Sequence, residues 1–299
     1  MFKNIAISPF FSFIKKGKVF LLLKDADKHV LLKEGIDDLK TFLKKYKTSP
    51  YHQGRTPHPS IPLENGRRMV LRQYSHGGLL RAITGNLYLF GARSFRELAI
   101  TEEVRSCGIP TVEPIGAIHQ VTGLPPFYRA CLLTLEIPGA LNLLQYFEKI
   151  GTKPCRETLS QKRKMIRHAG LVLRQFHQTG FFYQDLQLKN ILVAEDRILL
   201  IDFDRSYRKL ILSTGKRMKN LLRLNRSVEK WKRLGLPITR TDGWRFFLAY
   251  AGDDKKILEV MVKALRTYSL RFLFYRFGWA LERMVGNYKF GVRRSEENI

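Results

Sequence analysis

Apolar positions along this chain switch repeatedly between a period of two and a period near 3.6, and the switches outline its elements. Val19–Lys24 and Val30–Lys33 are short apolar runs separated by Asp25-Ala26-Asp27-Lys28-His29, which predicts a β-hairpin. Ile36, Leu39, Phe42 and Leu43 then recur at helical spacing. Ser49 to Pro62 is rich in Pro, His, Gly and Thr and reads as loop. Arg68–Tyr74 follows as a strand, with Gly77-Gly78 marking its exit turn. Ala92 to Ser106 predicts a helix with Phe95, Leu98 and Ala99 facing inward, stopped by Gly108 and Pro110. Thr111–Gln120 and Arg129–Glu136 are extended, Pro138-Gly139 breaks the run, and Leu141–Phe147 turns helical.

The clearest helix runs from Ser160 to Thr179, where Met165, Ile166, Ala169, Val172, Leu173 and Phe176 repeat on one face. Beyond Gly180 come two β runs, Ile191–Val193 and Ile198–Ile201, joined by a four-residue turn. The remainder is mostly helical, with Phe246, Phe247, Leu248 and Tyr250 apolar. No internal repeat or low-complexity tract interrupts the pattern. Residues 1–137 are therefore strand-rich around one helix, and 138–299 are mainly helical with a small hairpin. At 299 residues this suits two lobes sharing a cleft.

Charge sharpens the picture. Fifty-three Lys and Arg against 26 Asp and Glu give a net charge of +27, a field that attracts polyanions such as nucleic acid, anionic lipid or a phosphorylated glycan. A helix-turn-helix cue, an RNA-recognition motif and a zinc framework are all lacking, which ranks nucleic acid last. Cys107, Cys131 and Cys155 are widely spaced and form no CxxC, so neither a disulfide framework nor a zinc site is expected, and a reducing cytoplasm fits. No stretch approaches the roughly 18 consecutive apolar residues of a membrane span. The apolar opening, Met1 to Phe13, is interrupted by Lys3, Asn4 and Pro9 and has no small-residue cleavage site, so a secretory signal is not expected.

The chemistry concentrates in one stretch. Asp185-Leu186-Gln187-Leu188-Lys189-Asn190 follows the long helix, and a hairpin then leads into Ile201-Asp202-Phe203-Asp204. Phosphoryl transfer asks little covalent chemistry of a protein. It needs a group that orients the attacking hydroxyl, and oxygens that hold magnesium against the phosphates. One carboxylate and one amide on a D-x-x-x-x-N loop, with a second carboxylate at a strand end, provide that set.

In this order the residues resemble the protein-kinase-like superfamily. Asp185 matches its catalytic Asp, Asn190 its metal-binding Asn, and Asp202-Phe203 the first two residues of D-F-G. The resemblance implies a bilobal α+β fold, ATP and Mg2+ as cofactors, and a phosphate-contacting strand residue paired with a helix Glu. Arg72, in Val70-Leu71-Arg72, stands where that superfamily has Lys, since no Lys lies between Glu64 and Phe90, and Glu97 matches the helix Glu. Gly54 is the only Gly-loop candidate, and Glu136 completes the cofactor-binding candidates at the end of its extended segment. Gln187, Gln184 and Asp204-Arg205 depart from the protein-kinase pattern, and no Ala-Pro-Glu follows, so peptide docking and activation-loop phosphorylation are not expected.

A closer resemblance is to the bacterial lipopolysaccharide core kinases, those acting on 3-deoxy-D-manno-octulosonic acid (Kdo) among them. It rests on Leu71-Arg72-Gln73-Tyr74 with Gly77-Gly78, on Arg96-Glu97, on Gly108-Ile109-Pro110 and on Ile201-Asp202-Phe203-Asp204-Arg205. Tyr183-Gln184 replaces the His that often opens the family's catalytic loop. The resemblance covers about Gly54 to Tyr250. It implies ATP-dependent phosphorylation of a Kdo hydroxyl on lipid A-linked inner core, by a peripheral protein at the cytoplasmic face of the inner membrane. The basic run after Asp202 suits anionic glycolipid and an anionic membrane surface as partners. A catalytically silent kinase fold, or a kinase for heptose or another small molecule, are the alternatives.

Overall fold

The computed structural model describes residues 5, 7–46, 51–52, 58–75, 86–123 and 127–265. Gly54 and the Gly77-Gly78 turn lie outside the described residues. The chain divides into two compact units, residues 1–252 and 253–299. Within the second, a helix occupies 255–265.

The first unit opens with β1 (Phe11–Lys16), β2 (Val19–Lys24), α1 (Asp25–Lys33) and α2 (Leu39–Lys45). Next come β3 (Tyr51–His52), β4 (His58–Pro62), β5 (Arg68–Gln73), β6 (Tyr88–Leu89), α3 (Arg93–Ser106), β7 (Pro114–Val121) and β8 (Phe127–Leu135). These strands form one antiparallel sheet in the order β1-β2-β7-β8-β5-β4-β3, with β6 also paired to β8.

Two-residue alternation gives the sheet two distinct faces. Leu21, Leu23, Met69, Leu71, Cys131 and Leu133 pack on one side against Leu31, Leu39 and Phe42 of α1 and α2. Leu22, Tyr74, Tyr128, Ala130 and Leu132 pack on the other against Phe95 and Leu98 of α3. Phe95 and Leu98 are buried as their spacing predicts, whereas Ala99 is only half-buried.

Two expectations about this region fail. The hairpin expected across Asp25–His29 is instead the pair β1–β2, and Asp25–Lys33 is a helix. Asp25 and Asp27 in its first turn and Lys33 in its last suit the helix dipole. The buried Asp27 is further matched by Arg67, a partner distant in sequence. Val30-Leu31-Leu32 is too short an apolar run for periodicity to separate strand from helix. The loop expected over Ser49–Pro62 holds β3 and β4, because Ile61 is fully buried and its neighbours pair with β5. Pro59 and Pro62 are tolerated near the sheet edge, where missing N–H donors cost little.

The rest of the unit comprises β9 (Leu141–Asn142), α4 (Leu143–Ile150), α5 (Arg156–Gln178), β10 (Phe181–Phe182), β11 (Ile191–Ala194), β12 (Arg197–Leu200), β13 (Tyr207–Arg208), α6 (Thr214–Arg233) and α7 (Arg240–Ala251). A 3-10 turn, Leu188–Asn190, leads into β11. Asn142 caps α4 through the backbone N–H groups of Leu144 and Gln145. The β11–β12 turn is tighter than expected: only Glu195 and Asp196 separate the strands, with Glu195 at φ 53°.

Helix α5 is the axis of this half. Its Lys162 is buried and bonds both Asp242 (2.7 Å) and the Pro237 carbonyl (2.6 Å), tying α5 to the start of α7. Gly170 lets the two helices touch, since a Cβ there would lie 2.7 Å from the Phe246 carbonyl oxygen and 3.0 Å from Ala249 Cβ. Gly170→Ala is therefore expected to destabilise the protein by ~1–3 kcal/mol through overpacking, although alanine is the better helix former. A urea midpoint equal to or above that of the wild type would show that the contact has slack.

Candidate active site

A cleft of about 360 Å³ opens beside β5 and α3 and is lined by Arg72, Glu97, Asp185, Asn190 and Asp202 among others. With Glu136, six of the seven residues singled out in the sequence share one cavity. The Glu136 carboxylate is held by Ser60 and by Arg68 at 3.2 Å, which ties β4 and β5 to the end of β8. Gly54 lies outside the described residues.

Arg72 reaches the cleft because it falls on the same strand face as Val70 and Tyr74. One of its terminal nitrogens pairs with Glu97 on α3, and the other lies 2.6 Å from Asp202. The Tyr74 ring lies under the guanidinium at 4.8 Å, and its hydroxyl donates to Glu97. Burial alone would lower the pKa of Arg72, but Asp202 and Glu97 together hold it well above its usual value. Burial would raise the Asp202 carboxyl, and the Arg72 guanidinium outweighs it, leaving Asp202 ionised below the ordinary carboxylate range. Glu97 behaves oppositely. Its deep burial dominates over Arg72, Asp202 and Asp204 add repulsion, and its carboxyl is pushed up to about 7.

Asp202 adopts a left-handed backbone, φ 66°, which Asp tolerates better than most side chains. Its neighbours fix that conformation. The Ile201 N–H donates to the Asn190 carbonyl at 3.0 Å, and the Tyr183 hydroxyl donates to the carbonyls of both Ile201 and Asn190. Phe203 stacks on Phe176 of α5 (5.7 Å, 13°) and against Tyr183 (5.2 Å). Local strain at a site of chemistry persists only where the surroundings over-determine it, as they do here.

The loop carrying Asp185 and Asn190 is gripped by one face of α6. Asn220 accepts from the Tyr183 N–H (2.9 Å) and donates to its carbonyl (2.8 Å). Arg223 Nε donates to Asp185 at 3.1 Å, and Ser227 accepts from the Leu188 N–H at 3.3 Å. The spacing 220, 223, 227 places all three on one helical stripe. His177 of α5 backs Asn220 at 3.1 Å and meets the Tyr250 hydroxyl at 2.7 Å. Burial pushes its imidazole down to about 4, so it is neutral at pH 7. Asn190 Nδ2 donates to the Asp185 carbonyl at 2.9 Å, which leaves the amide oxygen for a ligand.

Several of these groups were given no role in the sequence. Tyr74 was legible as the next inward residue after Arg72, and the 220–223–227 stripe as polar positions set among Leu221 and Leu224. Arg93 grips Asp204 with two nitrogens while packed between the Tyr74 and Tyr88 rings, and no sequence pattern links those positions.

Residues 34–250 match the lipopolysaccharide kinase (Kdo/WaaP) family. The chain belongs to that family. The matched region holds every cleft residue described above. A 3-deoxy-D-manno-octulosonic acid kinase of Vibrio cholerae is 30% identical over 166 residues, 54% of this chain and 65% of that protein. The kinase of the same description from Xanthomonas campestris pv. campestris strain B100 is 34% identical over 167 residues, 54% of this chain and 61% of that protein. The chain thus matches somewhat under two thirds of the length of these relatives. Among solved structures, WaaP in complex with acyl carrier protein aligns with a TM-score of 0.50 at 17% identity, covering 83% of this chain and 99% of that one. That likeness concerns the fold, the kinase-like α+β architecture expected from the sequence.

The raised Glu97 carboxyl has a measurable consequence. Between 4.5 and about 7 the folded state keeps a proton on Glu97 that the unfolded chain has lost. The stability of the wild type relative to Glu97→Gln is therefore expected to fall as pH rises through that window and to level off above it. Paired denaturant titrations check this, and a difference that rises with pH would contradict the assignment.

Proposed function

We propose that this protein is an ATP-dependent kinase that phosphorylates a sugar hydroxyl, most specifically one on a Kdo residue of the lipid A-linked inner core. The observation that carries the reading is the meeting of Asp185, Asn190 and Asp202 in one cleft with the Arg72–Glu97 pair. In this reading residues 1–137 form the lobe that covers the nucleotide, and 138–299 carry the catalytic loop and acceptor side.

Each residue then has a distinct task. Asp185 accepts the proton of the acceptor hydroxyl and orients its oxygen toward the γ-phosphate. Arg72 holds the nucleotide phosphates, its planar fork replacing a lysine ammonium, and Glu97 keeps that fork aimed. Glu136 borders the nucleotide from the end of β8, and Gly54 stays in this reading as the sequence's Gly-loop candidate. The amide oxygen of Asn190 and the carboxylate of Asp202 are hard oxygen donors suited to Mg2+. Asp202 is ionised, as a metal ligand must be, and Arg72 occupies only one of its oxygens. When bound, Mg2+ would neutralise charge on the β- and γ-phosphates.

The acceptor side is basic, which suits Kdo carboxylates and lipid A phosphates. Among the described residues no helix is long and apolar enough to cross a membrane. The basic acceptor side suits peripheral attachment to the anionic cytoplasmic face of the inner membrane, where each Lys or Arg adds about 1 kcal/mol.

With labelled ATP and Kdo-lipid A, the wild type is expected to yield labelled glycolipid. Asp185→Ala should slow this by ~10²–10⁴-fold, the usual contribution of a positioned base. Undiminished turnover by that variant, or labelling only of a heptose-bearing or unrelated acceptor, would overturn the reading.

A further inference from the structure

Leu210 is 98% exposed and Ile211 77%, while the next residue, Leu212, is 2% exposed. These two consecutive aliphatic side chains stand in water on a firmly braced segment. The Lys209 N–H donates to the Gly180 carbonyl at 3.0 Å. Arg208 donates to the Thr179 carbonyl at 2.9 Å, pairs with Glu103 at 3.0 Å and lies over the Phe181 ring at 5.2 Å. On the other side, Arg217 donates to the Leu212 carbonyl at 3.1 Å. Gly180, at φ +91°, admits this approach, since a Cβ there would fall 1.9 Å from the Lys209 carbonyl oxygen. The fold thus devotes a glycine, a buried leucine and two arginines to holding Leu210 and Ile211 outward.

Along the chain, the stretch that carries this tip has charges of one sign, although Glu103 from α3 pairs with its Arg208. From Arg205 to Val228 the chain contains Lys and Arg but no Asp or Glu, and Arg205, Lys209 and Lys219 are exposed. A two-residue aliphatic point on a stretch rich in exposed cations matches the layering of an anionic bilayer, with phosphates outside and acyl chains beneath. It fits a protein partner less well, because a stable protein interface needs about 800 Å² of contact from each side.

We propose that Leu210 and Ile211 enter the acyl boundary of an anionic membrane while Arg205, Lys209 and Lys219 meet its phosphates, making this loop the element that docks the protein. Its purpose rests on the lipid-linked acceptor proposed above. The loop follows Asp202–Asp204 directly in the chain, so docking there brings the catalytic groups to the headgroup plane where such an acceptor presents its sugar.

The test uses the full chain, vesicles of phosphatidylcholine with and without phosphatidylglycerol, and sedimentation. The wild type is expected to partition onto the mixed vesicles and hardly onto pure phosphatidylcholine. Leu210→Ser/Ile211→Ser should weaken partitioning by ~10-fold or more, the worth of one or two buried aliphatic side chains. Lys209→Glu/Lys219→Glu should weaken it further in low salt than in high salt. Both variants change exposed residues, and circular dichroism checks their folding. Wild-type partitioning retained by the Leu210→Ser/Ile211→Ser variant would overturn the proposal. So would failure of the wild type to bind the mixed vesicles while the same variant loses capture of an acidic acyl carrier protein. The kinase reading is judged separately, by turnover of a delipidated Kdo oligosaccharide. The Leu210→Ser/Ile211→Ser variant should retain that turnover, and its absence in the wild type would count against the kinase reading without altering the vesicle result.

Discussion

One half-buried guanidinium holds this site together. Arg72 arises from the sheet, pairs with Glu97 on α3 and pairs with Asp202 at the end of the β11–β12 hairpin. Burying a cation is expensive unless opposite charges meet it in good geometry. A fork with two terminal nitrogens engages two carboxylates at once, where a lysine offers a single point. Arginine therefore joins three separate elements here, and it keeps Asp202 ionised. The second bridge, Arg93 to Asp204, repeats the arrangement one turn away on α3 and closes the same edge of the cleft.

The lower wall of the cleft depends on different forces. Phe176, Phe181, Tyr183 and Phe203 form a packed aromatic cluster on α5 that seats both chemical segments. Against it, α6 presents Asn220, Arg223 and Ser227 to the loop of Asp185. Asn220 satisfies both the N–H and the carbonyl of Tyr183, so this buried stretch leaves neither group without a partner. The Tyr183 side chain fixes the loop as well, since its hydroxyl bonds the carbonyls of Asn190 and Ile201.

Much of this was legible in the sequence, for identifiable reasons. The 3.6 period over Ser160–Thr179 and the order of Asp185, Asn190 and Asp202 are local features, and local features survive translation into structure. Arg72 was placed by the resemblance of Val70-Leu71-Arg72 to the kinase strand, together with strand alternation. What escaped were features set by distant partners. Asp25–Lys33 folds as a helix because Leu31 is buried against the sheet and Asp27 finds Arg67, neither of which a short apolar run reveals. Ile61 makes a strand of a proline-rich stretch only because β5 lies beside it. Arg223 looked like one member of a basic run, and its meeting with Asp185 depends on how α6 crosses the loop.

The site therefore stands on the coupling between Arg72 and Asp202. A double-mutant cycle on global stability, using Arg72→Met, Asp202→Asn and both together, measures it directly. A half-buried pair at 2.6 Å is expected to give a coupling energy of at least ~1 kcal/mol, with the double variant less destabilised than the sum of the single ones. Additivity to within ~0.5 kcal/mol would mean that the two residues act independently, and would contradict the claim that one guanidinium organises the site.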